Sequence, residues 1–294
     1  FAAAAVSPLS QAKAEIRVFA CEPEWAALAG EIGGENVTAT SATTASQDPH
    51  HIRARPSLIA RIRRADLVFC TGAGLEIGWL PLLLQRGAPA GVQPGTPGHL
   101  MAADHVTLLE KPERVDRADG DIHPEGNPHV HLDPRNLTAI SAVLSQRLAA
   151  LDPQNSEAYR QRAAAFAARW QDHIAGWERR ARSLKDMPVI VHHKSWTYLV
   201  RWLDLRVVAT LEPKPGLPPT SAHLESLLAL ARTQRIAAIL RTPYDPSAPS
   251  EWLSERTDIR ALELPATVGG DGAKDLGALF EAILARLEEA ARER

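Results

Sequence analysis

The chain has 294 residues, 45% hydrophobic and 23% charged, with 33 basic against 35 acidic side chains. That length supports two packed domains or one large one, and a net charge of −2 excludes a global field for nucleic acid or anionic lipid. No apolar run reaches the roughly 18 residues that a membrane span needs.

At the N-terminus, Phe1-Ala2-Ala3-Ala4-Ala5-Val6 precedes Ala12-Lys13-Ala14. An A-x-A site behind an apolar stretch reads as the tail of a secretory signal, so residues 1–14 are expected to be a signal remnant or a disordered leader. Short β-rich runs then alternate with helical patterns. Ile16–Cys21, Asn36–Ala42, Leu67–Thr71 and Val106–Leu109 read as strands. Pro23–Ile32, Ser57–Arg64 and Leu75–Arg86 read as helices. Such alternation predicts βαβ units and a parallel sheet. From Pro153 to Leu184 the chain is rich in Ala, Arg, Gln and Glu, with Asp152 placed to cap and Pro153 at the first turn. A helix of that length outruns a single lobe and predicts a strut. Beyond it, Pro188–His192, Leu205–Leu211, Ile236–Thr242 and Ile259–Leu264 read as strands. Trp196–Leu203, Ala222–Arg232, Pro249–Arg256 and Ala273–Glu289 read as helices. The expected fold is α/β: two lobes, each with a mainly parallel sheet, over 15–150 and 186–294, joined by one long α-helix over 151–185. The sequence itself shows no internal repeat.

Two cysteines, Cys21 and Cys70, cannot build a cysteine-rich zinc site. Each lies in an apolar run, as buried inert thiols do, and they pair only if their strands are neighbours in an oxidising compartment. The seven Trp residues lie mostly in helical patterns and are expected in the core. Gly269–Lys274 lacks the spacing of a phosphate loop, and Gly72-Ala73-Gly74 lacks the third glycine of a dinucleotide fingerprint.

The chemistry lies in eleven histidines, which cluster. His50 and His51 follow Asp48-Pro49, His129 and His131 lie within Asn127–Pro134, and His192 and His193 end a strand. Each pair falls where a strand or loop passes into a helix, the place where open α/β sheets bind ligands. Imidazoles suit Zn, Cu, Ni and Fe, whereas Mg and Ca want oxygen. No H-E-x-x-H is present, and Glu212 is the one candidate base for a zinc-dependent hydrolase.

Asp48-Pro49-His50, then Arg55-Pro56-Ser57, Arg64–Val68 and Gly72–Glu76, resemble the first ligand segment of the ZnuA/TroA-like metal-binding solute-binding proteins. Asn127–Pro134 resembles the second, with His131 where an aromatic is usual. Val191–Leu199 resembles the third, and Glu212–Pro219 the turn that follows in zinc-type members. The match runs from about Glu15 to the C-terminus. The resemblance implies that His50, His129 and His193 hold a metal in the interlobe cleft, with His51, His131 and His192 as neighbours. It implies Zn²⁺, with Mn²⁺ as the alternative cargo of the same fold, and a binding protein in place of an enzyme. It implies a periplasmic monomer, a membrane permease of an ABC importer as partner and room for a periplasmic metallochaperone. The usual fourth ligand, an Asp in a Leu-Asp-Pro-Leu-Gly turn, is absent. Asp271, behind Gly269-Gly270, is the expected replacement; Glu212, Glu263 and water compete, and Asp271 also suits a helix cap. The loop Lys111–Pro128, with Asp116, Asp119, Asp121 and His123, reads as a short form of the family's His/Asp-rich insertion, or as a polar surface loop.

Overall fold

A computed structural model describes residues 15–114, 120 and 123–292. The leader, and Asp116, Asp119 and Asp121, lie outside them. The first half forms a parallel sheet of β1 (Ile16–Ala20), β2 (Val37–Ser41), β3 (Leu67–Cys70) and β4 (His99–Met101), in the order β2-β1-β3-β4. The second half repeats that order: β5 (Pro188–Val191), β6 (Arg206–Thr210), β7 (Ala238–Arg241) and β8 (Arg260–Glu263) pair in parallel as β6-β5-β7-β8. The repeat is one of topology, which side-chain identity does not reveal. β3 and β5 are buried along their whole length, which is why they read as continuous apolar runs.

Helices α1 (Pro23–Gly33), α2 (Pro56–Ile62) and α3 (Leu80–Gly87) join the first strands. Proline opens α1 and α2, where its missing N–H costs nothing. α3 starts five residues later than its apolar pattern suggests. Gly72, Ala73 and Gly74 are all left-handed (φ +80°, +50° and +83°), and the turns after them carry the chain to Leu80. Val106–Leu109 is not a strand. Leu109 N–H bonds the Tyr198 hydroxyl at 3.0 Å in place of a ladder partner, and the sheet is completed by the short β4 instead.

Between the sheets run α4 (Pro134–Leu151) and the long α5 (Ser156–Ala181), packed side by side. α4 was not foreseen; Asp133 caps it through the Arg135 N–H at 3.0 Å, and Pro134 opens it. α5 continues at both ends as 3₁₀ turns, Pro153–Asn155 and Arg182–Leu184. At 1.5 Å per residue its α-helical part alone spans about 39 Å. Asp152 precedes this helix but takes the Asn155 amide and the Tyr159 hydroxyl rather than a backbone N–H. The second half adds α6 (Thr197–Leu203), α7 (Ser221–Thr233), α8 (Ser247–Ser254) and α9 (Leu276–Arg292). Trp170 and Trp177 of α5 meet Trp202 of α6 and Phe280 of α9, mostly edge to face, and Phe166 stacks on Trp170. One apolar core runs from β1 and β3 through α4 and α5 to β5, β7 and α9, with a smaller core on the outer face of each sheet. Among the described residues no helix is long and apolar enough to cross a membrane.

β1 and β3 are hydrogen-bonded neighbours, and Cys21 and Cys70 just at their carboxyl ends form a disulfide with Cα atoms 4.7 Å apart. This overturns the reading of inert thiols: parallel neighbours in register put the two side chains face to face. A buried carboxylate pair lies beside it. Glu22 accepts from Thr71 Oγ1 at 2.9 Å, and Glu76 accepts from Thr71 N–H at 2.7 Å. Burial, with the charges of Glu76 and Glu24, holds Glu22 well above the ordinary carboxylate range, and burial pushes Glu76 up to about 7.

Candidate metal centre

Three segments deliver histidines to one point beyond the carboxyl ends of the sheets. After β2 the chain turns through Asp48 into a 3₁₀ turn, Pro49–His51. Asp48 Oδ1 accepts the His50 N–H at 2.9 Å and the His50 Nδ1–H at 2.7 Å, so one carboxylate both caps the turn and orients the ring. Burial would raise Asp48, but the His50 hydrogen bonds outweigh it and hold the carboxylate below its usual range.

His193 follows β5, and its Nδ1 donates to Glu212 Oε2 at 2.7 Å. Burial works to lower this imidazole, yet the Glu212 hydrogen bond and charge prevail and raise it above its ordinary value. Glu212 Oε2 also accepts the Gly216 N–H at 2.9 Å, which ties the Pro-rich turn to the ligand segment.

His129 enters from the loop that precedes α4. Asn127 positions it: its Oδ1 accepts the His129 N–H at 3.0 Å, while its amide donates to Lys194 O at 2.9 Å and Thr197 Oγ1 at 3.1 Å. The second and third histidine segments are therefore strapped together. His129 is 3% exposed, and its Nε2 is buried with no hydrogen-bond partner. Burial first, then the neighbouring His50 and His193, holds it neutral, its pKa well below the usual value.

Ligand atoms of His50, His129 and His193 all lie within 4.8 Å of one another. With Nδ1 of His50 and of His193 donated to carboxylates, Nε2 is the free nitrogen on each ring, with the tautomers assigned from those partners. This is a preformed set of lone pairs with matched outer carboxylates, the arrangement that metal-ligating imidazoles take. His123 joins them from the 111–128 loop, its Nε2 3.2 Å from His50 Nε2. Burial, then the charges of His50 and His193, lowers it to about 4. A cavity of about 570 Å³ opens on one side of the cluster, past Glu212, Tyr244, Asp245 and Trp252. Another of about 410 Å³ opens past Glu110, His123 and Lys194.

Asp271 is not brought to this point. Its carboxylate is 88% exposed and bonds Arg286 at 2.7 Å, because the turn after Gly269-Gly270 faces α9 rather than the cleft. Nor does it cap α9; Asp275 does, accepting the Ala278 N–H at 2.8 Å. Glu263 pairs with Arg241 at 2.7 Å, and Glu212 is spent on His193 Nδ1. Of the neighbouring histidines, His51 is exposed and His192 is buried. Burial, ahead of neighbouring charges, lowers the His192 pKa. His131 serves the fold: its Nε2 donates to Ala266 O at 2.8 Å and its Nδ1 lies 3.2 Å from Glu24 Oε1, joining α1 to the loop after β8. The orienting roles of Asp48 and Asn127 were missed; an acceptor side chain two residues before each histidine, with proline between, was the signal available.

Among solved structures, a crystal structure of ZnuA superposes with a TM-score of 0.78 at 22% identity, covering 94% of this chain and 99% of that one. The substrate-binding protein FpvC of Pseudomonas aeruginosa in complex with Mn²⁺ gives 0.74 at 22% identity, covering 95% of this chain and 97% of that one. Among curated proteins, the zinc-binding lipoprotein AdcA of Streptococcus pneumoniae is 22% identical over 234 residues, 78% of this chain and 46% of AdcA. The chain thus spans about half the length of that relative. The metal ABC transporter substrate-binding lipoprotein SloC of Streptococcus mutans is 22% identical over 233 residues, 78% of this chain and 73% of SloC. The family model described as zinc-uptake complex component A, periplasmic (ZnuA) matches residues 18–290, nearly the whole of both lobes, and the chain belongs to that family.

Proposed function

We propose that this protein captures one divalent transition metal, Zn²⁺ above all, between its lobes in the periplasm and delivers it to the membrane permease of an ABC importer. The observation that carries this reading is the convergence of His50, His129 and His193, two of them with Nδ1 held by a carboxylate and the third with a buried, unpartnered Nε2. Bringing three imidazoles together in a half-buried cleft, with burial and the neighbouring rings lowering the proton affinity of His129, is unfavourable unless a cation draws on their lone pairs. Nitrogen ligands favour Zn²⁺ over Mn²⁺, which prefers oxygen. Relatives carry names for zinc, manganese and iron, so the metal is argued from the donor set of this chain. Holding is favoured over hydrolysis because Glu212, the one base the sequence offers for a hydrolase, is committed to His193.

The test is a zinc titration with metal analysis of the purified protein, beside the triple variant His50→Ala, His129→Ala, His193→Ala. One tightly held Zn²⁺ per chain, lost in a variant that keeps its circular dichroism, is the expected result. A protein that takes no zinc, or a variant that keeps it, sinks the proposal.

A further inference from the structure

We infer that His123 is the fourth metal ligand, so that the cleft holds its cargo with four imidazole nitrogens and no carboxylate. The inference rests on the metal-capture reading above and specifies its donor set. His50 Nδ1–H is committed to Asp48, which leaves His50 Nε2 with an outward lone pair. The Nδ1 edge of His123 lies against the Ala73–Gly74 turn, and a hydrogen bond with the Ala73 backbone fixes the ring there. Its Nε2 therefore also presents a lone pair, and the two Nε2 atoms face each other at 3.2 Å. Two lone pairs at that distance repel unless a cation lies between and to one side of them.

The distance itself points to the geometry. Zinc–imidazole bonds are about 2.0–2.1 Å, so neighbouring nitrogens of a zinc tetrahedron lie about 3.3–3.4 Å apart. The His50–His123 separation is that edge to within about 0.2 Å. The ring centre of His50 lies 5.2 Å from that of His123, against 5.4 Å from His129 and 5.7 Å from His193, so His123 meets the cluster through His50 and closes on the other two rings when the ion draws the four nitrogens together.

Charge supports the same set. Four neutral imidazoles leave the ion its full double charge. Asp48 and Glu212 supply two negative charges one ring away, each through a histidine it orients. The ion is neutralised without an inner carboxylate, which accounts for Asp271 and Glu263 being engaged elsewhere by arginines. A four-nitrogen tetrahedron selects Zn²⁺, with Co²⁺ as a spectroscopic stand-in, and discriminates against Mn²⁺.

The test uses the whole chain and its His123→Ala and His123→Asp variants, each loaded with Zn²⁺ or Co²⁺. X-ray absorption of the zinc-loaded protein should show four imidazoles, falling to three plus an oxygen in His123→Ala. The zinc dissociation constant of that variant should rise by at least about tenfold, and its cobalt visible spectrum should change. His123→Asp should regain zinc binding and narrow the preference for zinc over manganese. Unchanged affinity and an unchanged cobalt spectrum in His123→Ala overturn the role of His123 while leaving the three-histidine site standing. A wild-type protein that holds no zinc overturns both.

Discussion

Replacing Glu212 with Gln separates two effects that one carboxylate has on His193. The Glu212 oxygen at 2.7 Å fixes the ring so that its other nitrogen meets the cluster. The same charge overcomes burial and raises the proton affinity of the ring above the ordinary imidazole value. A metal binds only the neutral ring. Below the His193 pKa, then, each further pH unit weakens apparent zinc affinity about tenfold, or about 1.4 kcal/mol. In the variant the largest raising influence is gone, the His193 pKa falls, and affinity stays level to lower pH. Well above the pKa of this ring in either protein, lost orientation and basicity dominate. The variant should bind zinc about 10–100-fold more weakly, a deficit of about 1.4–2.7 kcal/mol. As pH falls that deficit should shrink, because the wild-type ring, with the higher pKa, must displace a proton over a wider range than the variant's. Competition against a chromophoric chelator at pH 8, 7 and 6 measures the ratio directly. Equal affinities at pH 8, or a ratio that does not change with pH, would refute the reasoning.

Three further outcomes are expected. Removing the disulfide by Cys21→Ser and Cys70→Ser frees a loop of sequence separation 49 and should cost about 4 kcal/mol by the chain-entropy relation, read as a lower urea midpoint. The raised Glu76 pKa makes the folded state bind a proton more tightly than the unfolded chain does. Its stabilising effect is complete below about pH 4.5 and is lost as pH rises through about 7, a loss of about 3 kcal/mol by pH 8. Denaturation at pH 5 and pH 8 should show that fall, and Glu76→Gln should reduce it while the share from the raised Glu22 remains. Asn127→Ala breaks the strap between the second and third histidine segments and should cost about 1–3 kcal/mol in stability together with zinc affinity. Unchanged zinc binding in that variant would mean that His129 is placed by packing alone.

The alternation of apolar strands and capped helices was legible because buried parallel strands and proline-opened helices leave local marks. Where reading failed, the deciding contacts were distant. Val106–Leu109 has the composition of a strand, but its apolar side chains pack on the core from a loop and Leu109 is claimed by Tyr198, 89 positions away. α4 is masked in the sequence because its cap and first residue, Asp133-Pro134, also read as the end of a ligand motif. The three principal histidines could be named because each sits in a local turn with its own signature. Asp271 and His123 could not be ranked: whether a loop residue reaches the cleft depends on the arginine or the histidine it meets across the fold.

The apolar core that passes through both sheets, with α5 at its centre, also makes the two halves one cooperative unit. The Trp170–Trp177–Phe280 cluster ties α5 to α9 of the second half, while the same α5 packs on α1 and α4 of the first. Energy released by an ion settling among the histidines, on the proposed reading, would therefore be shared across both sheets. At a free metal concentration a thousandfold above the dissociation constant that energy is about 4 kcal/mol, and it should raise one melting transition as a whole. The indole fluorescence of tryptophans outside the ligand set then becomes a thermometer for occupancy, one that needs no label in the cleft.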